Sequence, residues 1–206
     1  MMTISDTVHR LKASWHQRHL SRPEYAFMFE PAAKDEWVVI DCEMTGLNAK
    51  KNHLLSVAAI HIDGSVIDTA QGLHLICRPP MMPTEDTIII HGLRPLDVEY
   101  GLSYEQMLQI LLPFIGNRRI VGFCPQLDMS FLNPLAKTYM GTPLPNPVID
   151  IRHLYNRYSG DRTQGVAHQA QQLTAICESL DIPELGAHDA YNDALMTAMA
   201  FLHLKP

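Results

Sequence analysis

Residues 37–48, WVVIDCEMTGLN, decide both the fold and the chemistry predicted for this chain. The first four, WVVI, are strand formers and predict a buried strand. Because alternate residues of a strand point to the same side, we expect Asp41 and Glu43 to face together and Cys42 to face away. Two carboxylates at the end of an apolar strand repel each other and lose hydration. The stretch therefore predicts a site for a hard cation such as Mg²⁺ or Mn²⁺.

Length and composition favour one domain with a substantial core, since the chain has 206 residues and is 47% hydrophobic. No apolar run approaches the roughly 20 residues that a membrane-spanning helix needs, and the N-terminus lacks the pattern of a secretory signal. The four cysteines are scattered and form no CxxC pair, which is typical of a reducing compartment. We therefore predict a cytoplasmic protein without a membrane partner.

The charge distribution sets the N-terminal segment apart. The net charge of −6 disfavours nucleic acid as a partner, unless bound cations reverse the local field. Residues 1–22 carry four basic side chains against one acidic side chain. We predict that residues 1–36 form a basic helical arm, with a helix at 5–20, and that residues 37–206 form the main domain. Two interpretations of the arm stay open: an extra helix packed on the domain, or a docking surface for nucleic acid or a partner protein.

The order of apolar runs predicts the fold class. Runs at 54–62 and 66–77 flank Asp63-Gly64, a strong hairpin signal, so the sheet is expected to begin as an antiparallel meander. Later strands at 120–123 and 148–149 alternate with helices, which predicts an α/β fold with a mixed sheet flanked by helices. The predicted helices are 104–115, 129–139, 151–158, 167–180 and 189–202, and residues 81–100 are predicted to be a loop.

Two further acids and a histidine complete a constellation. Asp128 follows a predicted strand and opens a helix, a place where α/β sheets gather ligands. His188 and Asp193 are five residues apart and would diverge by about 140° on a helix, so they converge only if His188 lies on the preceding loop. Asp189 would then cap the helix. Four carboxylates and a histidine suit two-metal phosphodiester hydrolysis, with the histidine accepting the proton of the attacking water.

These motifs resemble those of a known family. The sequence Asp41-Cys42-Glu43-Met44-Thr45-Gly46 resembles the DxExTG motif of the DEDD 3′–5′ exonucleases, and residues 128–132, DMSFL, resemble the second motif. His188 with Asp193 resembles the HxxxxD motif of the branch with a catalytic histidine (DEDDh), and residues 90–93, IHGL, resemble its IHGI segment. The similarity covers residues 37–204 and is nearest to the bacterial DNA polymerase III epsilon-type proofreading exonucleases.

The resemblance implies a ribonuclease H-like exonuclease fold and a role for each motif residue. Asp41 would bridge two metals, Glu43 and Asp193 would hold one of them, Asp128 would hold the other, and His188 would be the general base. The terminal nucleotide would be cradled by Met44, Thr45, Gly46, Leu47, Ile90 and His91. The implied activity is metal-dependent removal of nucleoside 5′-monophosphates from nucleic-acid 3′ ends. Single-stranded DNA is favoured and RNA stays open. A polymerase or another protein, bound through the N-terminal arm, stays open as a partner.

Two departures from the family pattern leave alternatives open. Residues 123–128 read FCPQLD where the family often has His-Asn-x-x-Phe-Asp, which removes two polar groups near the substrate. The chain also ends soon after the last predicted helix, so we expect a stand-alone or differently partnered relative. One alternative is a module of the same fold that binds nucleic-acid ends or a polymerase with little turnover. Another is a metal-dependent phosphatase acting on mononucleotides.

Overall fold

A five-stranded mixed sheet forms the centre of the molecule. The computed structural model describes residues 17–82, 92–162, 172–186 and 189–205. The strands are β1 (Glu36–Met44), β2 (Leu54–Asp63), β3 (Val66–Ile76), β4 (Arg119–Gly122) and β5 (Val148–Asp150). Their order is β3-β2-β1-β4-β5; the first two pairs are antiparallel, and β4 pairs parallel with both β1 and β5. The predicted α/β class and mixed sheet are confirmed, and β1 continues four residues past the predicted WVVI segment.

The helices are α1 (Pro95–Glu99), α2 (Tyr104–Ile115), α3 (Pro125–Met140), α4 (Ile151–Arg162), α5 (Leu173–Ser179) and α6 (Ala190–Leu204). The prediction of a loop over residues 81–100 was wrong at α1, which is one short turn of helix. Helix α3 begins earlier than predicted because Pro125 is tolerated in a first helical turn. The beginning of the predicted helix 167–180 lies outside the described residues. Within the described segments, no helix is long and apolar enough to cross a membrane.

Helices cover both faces of the sheet. On the face of Cys42, buried side chains of α2 and α3 pack against β1 and β2. On the face of Trp37, the cover consists of α4, α5 and α6. Helix α6 runs antiparallel to β1, since Phe201 packs edge-on against Trp37 at 5.2 Å between ring centroids while Asp193 lies at the far end of the strand. This direction brings the first turn of α6 to the C-terminal end of β1.

Part of the predicted N-terminal arm packs on the domain. Pro23–Phe29 forms a 3₁₀ helix whose Tyr25 and Met28 are buried in the core. Arg22 donates from Nε to the Tyr139 carbonyl at 3.0 Å, and its guanidinium lies 4.0 Å from the centroid of that tyrosine ring. Residues 1–16, with most of the predicted helix at 5–20, lie outside the described residues. The domain boundary at residue 36 stays a prediction.

We expect Gly141→Ala to destabilise the protein more than Gly64→Ala does. Both glycines have positive φ, +85° and +60°, so alanine at either costs about 1–2 kcal/mol of backbone strain. A Cβ at residue 141 would also overlap the carbonyl oxygen of His19, whereas one at residue 64 would meet nothing within 4 Å. The overlap adds roughly 1–3 kcal/mol. Urea unfolding measures both losses, and equal losses would contradict the packing of the arm against α3.

Candidate active site

Three carboxylates meet at the C-terminal end of β1. Asp41 and Glu43 lie in the ladder with β2, opposite Ala58 and Ser56, and their alternation directs both toward α6. Asp193 lies in the first turn of α6, which Asp189 caps by accepting a hydrogen bond from the backbone N–H of Asn192 at 3.0 Å. Carboxylate oxygens of Asp41, Glu43 and Asp193 lie within 4.8 Å of one another. These three side chains are called the carboxylate trio below.

Asp128 reaches the same strand end from the opposite face of the sheet. It lies in the first turn of α3, is only 4% exposed, and its carboxylate accepts hydrogen bonds from the backbone and thiol of Cys42. Burial raises the pKa of Asp128 to about 7, although these hydrogen bonds oppose the shift. Asp128 is therefore not a member of the trio, but its charge acts strongly on Asp41. The sequence predicted a set of four acids; three of them form the trio, and the charge of the fourth, Asp128, acts on Asp41 more strongly than that of any other acid. That all four hold metal stays a prediction.

Crowding of negative charge dominates the electrostatics of the site. Burial, followed by the charges of Asp128 and Asp193, raises the pKa of Asp41 well above its ordinary range. Burial, followed by the charge of Asp193, raises the pKa of Glu43 to about 8. Protons are held because ionised carboxylates here would be desolvated and would repel one another. A divalent cation would remove both costs, and an all-oxygen donor set suits Mg²⁺ or Mn²⁺.

The turn after β1 holds the predicted nucleotide-binding residues that the structure describes. The backbone N–H of Thr45 donates to the His53 carbonyl, and the backbone N–H of His53 donates to the Thr45 hydroxyl, each at 2.9 Å. Glycine is favoured at position 46 because its φ of +152° is one that residues with a side chain rarely adopt, and a Cβ there would also lie 2.7 Å from the Asn52 side chain. Leu47 is 77% exposed, while Met44 is half-buried against the core. The turn thus presents one large apolar side chain to solvent.

Three predicted site residues lie outside the described residues. They are the proposed base, His188, and two predicted nucleotide-binding residues, Ile90 and His91. The neighbours of His188 in the chain are informative, because Asp189 is the N-cap of α6. Residue 188 comes before this N-cap in the chain, and its convergence with Asp193 lies outside the described residues. Its role stays a prediction.

The segment that departs from the family pattern has an unusual backbone. Cys124 has φ 53° and ψ 40°, a left-handed conformation that non-glycine residues adopt rarely and that asparagine tolerates better. Next to it, Phe123 lies under the guanidinium of Arg152, 5.6 Å from the ring centroid. Arg152 is paired with Asp150, which ends β5. The sequence did not single out Arg152, although an acid two residues before an arginine at a helix start is a recognisable capping signal.

Ser56 is a second residue that the sequence did not single out. It lies directly opposite Glu43 in the ladder and is completely buried, and within the described part of the chain its hydroxyl has no hydrogen-bond partner. A buried hydroxyl without a partner is costly, and this one lies directly across the ladder from a member of the carboxylate trio. The sequence could reveal this pairing only once the register of β1 with β2 was known.

Comparison with known proteins fits this geometry. A family model described as Exonuclease (RNase_T) matches residues 38–201. The chain belongs to this exonuclease family. The exonuclease is 25% identical over 185 residues to the DNA polymerase III subunit epsilon of Aquifex aeolicus, covering 89% of this chain and 87% of the relative. It is 31% identical over 174 residues to the PolC-type DNA polymerase III of Halalkalibacterium halodurans, covering 81% of this chain and 11% of the relative.

Solved structures share the fold of the exonuclease. Escherichia coli exonuclease I in complex with a dA16 oligonucleotide superimposes with a TM-score of 0.70 at 15% identity, covering 84% of this chain and 42% of the other. Cell-death related nuclease 4 (CRN-4) superimposes with a TM-score of 0.67 at 17% identity, covering 82% and 63%. The ribonuclease H-like exonuclease fold is thus confirmed. Together with the family match, it makes the chain a metal-dependent 3′–5′ exonuclease domain.

Proposed function

We propose that the exonuclease removes nucleoside 5′-monophosphates from the 3′ end of single-stranded DNA, with two divalent cations and His188 as general base. The carboxylate trio at the end of β1, together with the nearby charge of Asp128, carries this proposal. The preference for single-stranded DNA is supported by the oligonucleotide complexes of exonuclease I, which has the same fold. RNA is the competing substrate in the test below.

The chain's own acids would hold the cations. Asp41, Glu43 and Asp193 would form one group of ligands, and Asp128 would add an oxygen on the Cys42 side. When bound, the cations would supply charge neutralisation at the scissile phosphate and activation of the attacking water. Glu43 and Asp128 hold protons near neutral pH, since their pKa values are about 8 and 7, so these protons must leave before the oxygens can act as ligands.

The remaining residues would orient the strand and move a proton. His188, immediately before the cap of α6, would accept the proton of the attacking water, as histidine can do near neutral pH. The exposed Leu47 would pack on the terminal base, with the backbone of Thr45 and Gly46 beneath the sugar. Met44, Ile90 and His91 would complete this pocket. None of these steps needs a covalent nucleophile on the protein.

The test is digestion of a 5′-labelled single-stranded DNA with Mg²⁺, with Mn²⁺ and with EDTA. We expect stepwise shortening from the 3′ end with either metal and none with EDTA. With Mg²⁺ saturating at every pH, so that Glu43 and Asp128 have released their protons, the wild-type rate should rise as His188 loses its proton, and this limb of the pH profile should be absent in His188→Ala. Tight binding without shortening would instead favour the module with little turnover, and faster shortening of RNA would overturn the DNA preference.

A polymerase partner is part of the same proposal. It is supported by the similarity to a DNA polymerase III epsilon subunit. The proposed contact is the N-terminal arm, whose first 22 residues carry four basic side chains against one acidic side chain. We expect the full chain to elute together with a DNA polymerase III catalytic subunit in gel filtration. Separate elution of the two proteins would contradict the polymerase contact.

A further inference from the structure

We propose that Arg152 binds a backbone phosphate of the substrate strand, upstream of the scissile bond. This inference rests on the proposed function and specifies a side chain that holds the strand. Arg152 lies outside the motifs that assign the exonuclease to its family, and it is not one of the predicted metal ligands or nucleotide-binding residues. Its contacts with Asp150 and Phe123 carry the argument.

The sheet places Arg152 at the same edge as the carboxylate trio. Strand β4 pairs parallel with β1 through Val39 and Val121, and parallel with β5 through Gly122 and Asp150. The C-terminal ends of β1, β4 and β5 therefore lie side by side. Asp150 is the last residue of β5, and Arg152 lies in the first turn of α4 directly after it.

Asp150 holds the guanidinium in a fixed orientation. Its side chain is 1% exposed and accepts hydrogen bonds from Arg152 Nε at 3.1 Å, from Nη2 at 2.5 Å and from the Arg152 backbone N–H at 3.0 Å. Such an anchor orders the arginine before a ligand arrives, so that less side-chain entropy is lost on binding. The buried carboxylate is the fixed partner, and the guanidinium is the accessible one.

The opposite edge of the guanidinium is available to a ligand. The Arg152 side chain is 33% exposed, and its Nη1 makes no hydrogen bond within the residues that the structure describes. One face lies over the ring of Phe123, which further restricts its orientation. An arginine with one edge anchored and one edge open has the geometry that binds phosphate oxygens.

Cys124 links this arginine to the acids. Its thiol experiences the charges of Arg152 and Asp150 as well as those of Asp128 and Asp41, although burial is the main reason that its pKa is raised. The guanidinium and the acids thus all lie close enough to Cys124 for their charges to act on its thiol. Phe123 and Cys124 also occupy the positions where the family often has histidine and asparagine, so Arg152 restores a hydrogen-bond donor at a place that had lost two polar side chains.

The experiment compares Arg152→Leu with Arg157→Leu, an exposed arginine five residues farther along α4, about 7.5 Å along the helix axis. Binding of a fluorescent single-stranded DNA is measured by anisotropy in EDTA, which prevents cleavage. Arg152→Leu is expected to bind about tenfold more weakly, and the slope of log affinity against log salt should fall by about 0.7, the change for one phosphate contact on a single strand. Arg157→Leu should leave both unchanged.

A double variant distinguishes the loss of the Arg152–phosphate contact from effects on folding and on the net charge of the protein. Arg152→Leu alone leaves the buried Asp150 carboxylate without its partner, which can unfold the protein. Asp150→Asn with Arg152→Leu removes both charges and keeps the net charge of wild type. We expect the same tenfold loss of DNA binding in this variant. Wild-type affinity and salt slope in the folded double variant would overturn the proposal.

Two substrates distinguish a phosphate contact from a structural role. On oligonucleotides, kcat/KM of the variants should fall about tenfold, mainly through KM. On p-nitrophenyl thymidine 5′-monophosphate, which has no upstream phosphate, kcat/KM should stay at the wild-type value. Equal losses on both substrates would overturn the proposal. If wild type itself does not shorten oligonucleotides, the proposed function fails; if wild type does and the Arg152 variants match it, only this inference fails.

Discussion

Replacement of Asp41 by Asn is expected to lower the rate of 3′-end shortening by about a thousandfold or more, and also to stabilise the metal-free protein. Asp41 is a member of the carboxylate trio and experiences the charges of all the other acids at the site. Asparagine has the same shape but cannot neutralise a divalent cation, so metal binding and activity should be lost. The same change removes a carboxyl group that must take up a proton when the protein folds, as its raised pKa shows.

Opposite effects on activity and stability make this prediction specific. Single-turnover digestion with Mg²⁺ measures the first, and urea unfolding in EDTA measures the second. Asp63→Asn is the matched control, since Asp63 is exposed at the far end of β2 and should change neither quantity. A folded Asp41→Asn that shortens DNA at the wild-type rate would contradict the assignment of the trio. A large loss of stability in EDTA would contradict the electrostatic account of the site.

Local patterns were sufficient to predict the sheet and much of the site. Asp63-Gly64 between two apolar runs predicted the β2–β3 hairpin, and alternation along β1 predicted that Asp41 and Glu43 face together. The five-residue spacing to Asp193 required residue 188 to precede the last helix, and α6 begins at Ala190. Each of these inferences depends on geometry within one strand, one turn or one helix, which sequence spacing encodes directly.

Features that depend on tertiary neighbours could not be predicted in this way. Cys42 was expected only to face away from the acids, yet it donates hydrogen bonds to Asp128 because α3 packs on that face. Ser56 was found opposite Glu43 only through the strand register. The contact of Arg152 with Phe123 joins two elements separated by α3 and β5. Sequence spacing carries no information on which faces of distant elements meet.

The stability of the metal-free protein is expected to fall as pH rises from about 5 to 8, and divalent cations should abolish most of this dependence. Glu43 has a pKa of about 8 and Asp128 of about 7 in the folded protein, against ordinary values of 4.5 and 3.8. At any pH between the ordinary pKa of one of these groups and its pKa in the folded protein, the folded state holds a proton that the unfolded state has released. Because the native state binds more protons, the free energy of unfolding decreases with increasing pH. The stabilising contribution is complete below about pH 4 and is lost as pH rises through 7 to 8.

The size of the effect makes it measurable by thermal unfolding. The whole pKa shift of Glu43 corresponds to roughly 5 kcal/mol, of which roughly 3–4 kcal/mol falls between pH 5 and pH 8. Asp128 interacts with the same acids, so the two contributions do not add fully. At roughly 2–4 °C per kcal/mol for a chain of this length, we expect Tm in EDTA to fall by about 10 °C between pH 5 and pH 8. Saturating Mg²⁺ replaces the protons, so it should raise Tm more at pH 8 than at pH 6.

Variants isolate these two acids from the other titrating groups of the chain. Glu43→Gln and Asp128→Asn remove one of the shifted groups each, so each should flatten the pH dependence of Tm in EDTA and reduce the stabilisation by Mg²⁺. Asp63→Asn, at an exposed acid at the far end of β2, should retain the wild-type profile in both conditions. If wild type and Glu43→Gln show the same slope of Tm against pH, the protons are not held at this site. A cation effect that is equal at pH 6 and pH 8 would likewise show that metal binding does not displace them.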